Sequence, residues 1–192
     1  MESYSFRWWQ ILGMGFLYLV FVVGSCFAGF LHPVCWAFFS VLAGLLASGP
    51  YFWLSARWQH FGVGTFCALM VCLFCLATGE AGGVLSKSFI LGGGVVSDVI
   101  RVLNVPSSKK SIYAAYPFLA IGNIGWIIRL WSDKQWYFEG AVREMGEDYA
   151  SGIAPLQTTG ILVSVIVVTA VMAVMAVWLC GKVDKKSANL LK

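Results

Sequence analysis

The sequence predicts an all-α polytopic membrane protein, a bundle of six transmembrane helices with an outer amphipathic segment between helices 5 and 6. Three observations lead there. Of 192 residues, 59% are hydrophobic and only 11% charged, more apolar surface than a soluble domain of this length can hide. The apolar residues fall in blocks of roughly 20, the length that crosses about 30 Å of hydrocarbon at 1.5 Å per residue. The basic residues sit between the blocks rather than on one face, which sets nucleic-acid binding aside despite the net charge of +4.

The expected spans run about 10–30, 34–54, 61–79, 86–104, 111–131 and 159–181. The third and fourth are interrupted by Gly79, Gly82, Gly83 and the run Gly92–Gly93–Gly94. Such glycines mark either a broken helix or close helix packing. The first span has Arg7 before it but ends without a small-residue cleavage site, so the sequence predicts no cleavable signal peptide. Residues 1–181 read as one transmembrane domain without an internal repeat, and 182–192 as a polar cytoplasmic tail.

Orientation follows the bias of Lys and Arg towards the cytoplasm. With both termini inside, Arg7, Arg57, Arg101, Lys109, Lys110, Lys182, Lys185, Lys186 and Lys192 lie on the cytoplasmic side. Lys87, Arg129, Lys134 and Arg143 lie outside, the last three around one long loop. That loop, about 132–158, carries Trp136, Tyr137, Phe138, Val142 and Met145 at helix-like intervals and predicts a short amphipathic helix on the outer surface. Its aromatics serve either as interfacial anchors or as ligand contacts.

The chain lacks the equipment of an enzyme or a self-powered pump. It has no G-x-x-x-x-G-K-[ST], no H-E-x-x-H and no G-x-S-x-G. His32 and His60 fall on opposite sides of the membrane and cannot share a metal. Cys72 and Cys75 form a CxxC at membrane depth, which reads as packed or lipid-facing thiols. Catalysis is not expected.

Several polar positions stand out instead. His32 and Pro33 link the first two spans on the outer side, followed by Trp36. The histidine serves either as a ligand group or as an interfacial residue beside a turn proline. Glu80 ends the third span in TGEAGG, a ligand-facing turn or a solvated loop. Asn123, Trp126 and Arg129 form a stripe in the fifth span, readable as a pocket wall or as helix packing and snorkelling. Converging with His32, Glu80 and Tyr137, the stripe would build an outer pocket. On the inner side Asp98 and Arg101 pair at a three-residue spacing, worth a few tenths of a kcal/mol if exposed, and offer a docking point. Gly13, Gly15, Gly24 and Ala28 thin the first helix for a partner or for packing within the bundle.

Three stretches resemble the MptD-like (Trep_Strep) family of S components of energy-coupling-factor transporters: SGPYFWLSARWQHFG, TGEAGGVL and VSDVIRVLNVPSSKKSIYAAYPFLAIG. The later DKQWYFEGAVREMGEDYASG fits the same pattern, so the resemblance covers nearly the whole chain. This sequence differs from the commoner pattern at Arg57–His60 and at Glu80–Ala81, differences that bear on the ligand. The resemblance implies a bacterial cytoplasmic-membrane subunit that binds a micronutrient from outside. Its partners would be a transmembrane coupling protein and two ATPases. A haem-like tetrapyrrole, with His32 on the iron and Arg129 at a propionate, or a vitamin-like molecule is the expected cargo, with no intrinsic cofactor. The competing expectations are a ligand-independent protein that assembles or regulates another membrane complex, and a membrane enzyme acting on lipid or quinone.

Overall fold

A computed structural model describes residues 8–58, 60–79, 83–104 and 108–190, without the side chains of 185–190. Glu80, Arg7, Gln59, Ala81, Gly82 and Lys192 lie outside the described residues. Those described form helices and turns, with no strand among them. The long elements are α1 (Trp8–Cys26), the broken series α2 (Pro33–Ala37), α3 (Phe39–Leu46) and α4 (Ser48–Arg57), then α5 (Val63–Ala77) and α6 (Gly83–Leu103). They continue with α7 (Lys109–Gly122), which passes through a 3-10 turn at Asn123–Ile127 into α8 (Arg129–Ser132). Next come α9 (Lys134–Met145) and α10 (Glu147–Ile153), and the chain closes on α11 (Thr159–Leu190).

Among the described residues three helices are long and apolar enough to cross a membrane: Trp8–Phe30, Gly83–Leu103 and Thr159–Asp184. A fourth counts if α3 and α4, bent by 45°, form one span. α5 is apolar but has only 15 residues, about 22 Å of helix at 1.5 Å per residue. The expected fifth span is divided by the 3-10 turn, and Pro117 removes one backbone donor inside α7. Length and composition thus support three to four of the six crossings expected. The outward faces are apolar: Phe16 is 60% exposed, Leu73 59% and Val171 52%. In water such faces would be an aggregation hazard; against hydrocarbon they need no covering.

The expected polar tail is helical. α11 continues past 181 to Leu190, and Lys109 pins it by donating to Gly181 O at 3.1 Å and to Asp184 Oδ2 at 2.8 Å. The long loop expected on the outer side holds not one short helix but two, α9 and α10, separated at Gly146, whose φ of +91° suits glycine.

α6 packs between α5 and α7, and the glycine run makes this approach possible rather than breaking the helix. A Cβ on Gly94 would lie 2.6 Å from Gly64 O, and one on Gly93 2.6 Å from the Gly122 Cα. Gly92 points to open space. Backbone thus meets backbone on two sides of α6, the small-residue packing available to membrane helices.

The opposite end of the bundle from α9 and α10 is fixed by a buried ion pair. α5 begins after Gly62, which has no side chain to cap it. Asp98 of α6 supplies the acceptors: Oδ1 takes the Gly64 N–H at 2.8 Å, and Oδ2 takes the Thr65 N–H and hydroxyl, each at 2.8 Å. Arg101 donates to the last carbonyls of α4, Trp58 O at 2.7 Å and Ser55 O at 3.3 Å, and lies 3.6 Å from Asp98. Each charge meets the helix end of opposite partial charge. Asp98 is 0% and Arg101 1% exposed, which corrects the expectation of an exposed docking pair. The two side chains clamp the α4–α5 turn and present nothing to a partner. Gly15 is likewise internal, packed under the Phe66 ring, whereas Gly13 and Gly24 are exposed with no neighbour for a Cβ and Ala28 is half-buried.

Candidate ligand cavity under the helical cap

α9 and α10 lie across one end of the bundle and cover a cavity of about 500 Å³, within the usual range for small-molecule sites. Its floor comes from the end of α1 and the turn after it (Cys26, Gly29, Phe30), from Trp36 of α2, from Thr78 and Gly79 after α5, and from Trp126. Its roof comes from Trp136, Tyr137, Gly140, Ala141, Glu144 and Met145 of α9, with Tyr149 and Ile153 of α10.

The cap is tied down by named contacts. Trp36 Nε1 donates to the Tyr137 hydroxyl, joining floor to roof across 101 positions of sequence. The Tyr149 hydroxyl donates to Gly29 O at 2.6 Å. Trp131 Nε1 donates to Leu156 O at 3.1 Å and Gln157 Nε2 to Lys134 O at 3.0 Å. Trp126 is held from below by Phe39 and Phe74, with ring centroids 6.3 and 6.0 Å away. The Arg129 guanidinium lies 4.3 Å from the centre of the Trp136 ring.

Burial raises the Tyr149 phenol above its usual value, and the nearby Cys35 adds to the shift. A phenol raised above its unfolded value of about 10 stabilises the cap fully below that pH. The contribution is lost only as pH rises through the higher folded value. Protection of the α10 amides from hydrogen exchange is therefore expected to stay constant between about pH 6 and about pH 9, and to fall in Tyr149→Phe.

Of the residues expected to build an outer pocket, Trp36, Trp126 and Tyr137 line this cavity. His32 does not. It is exposed, and its Nδ1 accepts the Val34 N–H at 3.2 Å as the N-cap of α2, ahead of Pro33 at the first helical position. Asn123 is buried below the cavity's lining, its amide donating to the Tyr18 hydroxyl at 3.2 Å. Arg129 faces the Trp136 ring and is not part of the lining. Glu80 lies outside the described residues. The stripe of Asn123, Trp126 and Arg129 therefore divides among core, cavity and cap instead of converging with His32.

Trp136, one of the loop aromatics read as anchors or ligand contacts, lines the cavity, and so do Glu144 and Tyr149, which the sequence did not single out as ligand residues. A signal was present: Tyr137, Gly140, Ala141 and Glu144 recur at helical spacing, and all four face the cavity. Cys72 and Cys75 are buried. No cluster of metal-ligating side chains occurs among the described residues.

A bacterial family described as hypothetical integral membrane proteins (Trep_Strep) matches residues 11–188. The chain belongs to this family. Trep_Strep membership accounts for the apolar outward faces as lipid-facing surfaces. No curated protein and no solved structure matches the chain.

Proposed function

We propose that this protein is the substrate-binding membrane subunit of an ATP-driven micronutrient importer of the energy-coupling-factor class. In this reading the chain passes the membrane six times, with both termini in the cytoplasm and the cap outside. The observation that carries it is the aromatic cavity between the cap and the end of a bundle whose sequence has no nucleotide-binding loop. A binding site alone can only shift an equilibrium by its differential affinities, so accumulation of the ligand requires energy from partners. A coupling protein with two ATPases supplies it.

Other features agree with this assignment. Lys and Arg concentrate at the end of the bundle away from the cap. Gly13 and Gly24 of α1 are exposed with nothing within 4 Å of a Cβ, two points where another membrane helix can approach closely. Among the described residues the cavity lining holds aromatic faces and one carboxylate, and His32 caps α2 instead of reaching it, so ligation of haem by His32 drops out of the proposal. The cargo is a small organic molecule, and no chemical step is assigned to the chain.

Purification of the tagged protein from its native membranes in mild detergent tests the assignment. We expect an ATPase-containing complex, with recovery reduced at least fivefold by Gly24→Leu while ligand binding persists. Recovery of the chain without any ATPase subunit would contradict the importer assignment. It would favour a ligand-independent assembly role if cavity substitutions were also silent.

A further inference from the structure

The cavity's chemistry narrows the ligand, on the reading that it is a capture site. We propose that it takes an organic cation, a positively charged nitrogen carried on a flat or apolar body, with Glu144 as the counter-charge.

Six aromatic side chains line the cavity: Phe30, Trp36, Trp126, Trp136, Tyr137 and Tyr149. Aromatic faces carry partial negative charge and attract cations, most strongly where water is excluded. Among the described residues the one carboxylate in the lining is Glu144, and no Lys, Arg or His accompanies it. Glu144 has no hydrogen bond or ion pair to another described residue, so its charge is available to a ligand.

Three of the side-chain donors that an anion could use are already engaged. Trp36 Nε1 gives its proton to Tyr137, the Tyr149 hydroxyl to Gly29 O, and the Thr78 hydroxyl to Phe74 O. Arg129, the nearby base in sequence, stacks on Trp136 and stays out of the lining. An anion entering here would lose water and meet ring faces and a carboxylate; a cation gains from both. A dianionic tetrapyrrole is disfavoured for the same reason.

The test uses the full chain in phosphatidylcholine nanodiscs, whose zwitterionic lipid does not concentrate either charge. Three probes of matched shape are titrated against intrinsic tryptophan fluorescence: benzyltrimethylammonium, neutral benzyl methyl sulfone and benzylsulfonate. Haem is the fourth. The cation is expected to bind at least tenfold more tightly than the sulfone or the sulfonate. Glu144→Gln should bring the cation to within about threefold of the sulfone and leave the sulfone unchanged. Trp136→Leu should weaken the cation more than the sulfone. Equal or tighter binding of sulfonate or haem overturns the charge assignment and leaves the capture reading standing. A cation preference that survives Glu144→Gln overturns the role of the carboxylate. If none of the four binds saturably the proposal falls, and the mass of the natively purified protein decides separately whether capture falls with it.

Discussion

Asp98→Ala will be the most damaging single substitution away from the cavity, lowering stability by about 3–5 kcal/mol. Four interactions end on this carboxylate: three hydrogen bonds at 2.8 Å from the start of α5 and the pairing with Arg101. Its removal leaves two backbone donors without partners at a helix end and a guanidinium buried without its counter-charge. Asp98→Asn keeps one acceptor and should fall between wild type and Asp98→Ala. Adding Arg101→Met to Asp98→Ala should recover part of the loss, because an apolar pair is tolerated better than a lone buried charge. Thermal unfolding in detergent measures the series. A melting temperature for Asp98→Ala within a degree or two of wild type would refute the clamp.

The second large effect belongs to the glycine run of α6, which contains its own control. Gly93→Ala and Gly94→Ala each place a methyl group against backbone of a neighbouring helix, 2.6 Å from the Gly122 Cα and from Gly64 O respectively. Backbone cannot turn aside as a side chain can, so the helices must separate. A loss of about 1–3 kcal/mol is expected at each position. Gly92→Ala meets nothing within 4 Å and should be neutral or stabilising by up to about 1 kcal/mol, since alanine is the better helix former. Equal responses at all three positions would mean that α6 does not pack by glycine contact.

The same glycines show how the fold was legible in part. Periodic apolar blocks identified the helical character, because a span must be apolar over a fixed length. They could not distinguish a broken helix from a packed one at Gly92–Gly94, since both use the same residues. The second block illustrates the converse. Its composition reads as one span, yet the chain divides it into α2, α3 and α4, with the α3–α4 bend falling where Pro50 has no N–H to offer the Leu46 carbonyl.

Candidate site residues were legible where they lie close together on one helix. The face of α9 could be read from spacing. Trp36 stands out beside His32 in the sequence, but its link to Tyr137 across 101 positions, and the floor residues Cys26, Gly29 and Thr78, are encoded by no local pattern. The spacing of Asp98 and Arg101 revealed their pairing, but not their burial, because their main partners are backbone atoms of the α4–α5 turn. His32 shows the limit of reading by residue type. Its chemistry fits a ligand, and the structure employs it as a helix cap.

The central claim, that the capped cavity holds a small molecule, is tested most directly by native mass spectrometry of the protein purified gently from its own membranes. The account predicts a stoichiometric adduct of defined mass, lost or strongly reduced in Trp126→Ala, whose ring lines the cavity floor, and retained in Gly24→Leu. A bare chain mass from wild type, unchanged after supplying organic cations and haem, would contradict it.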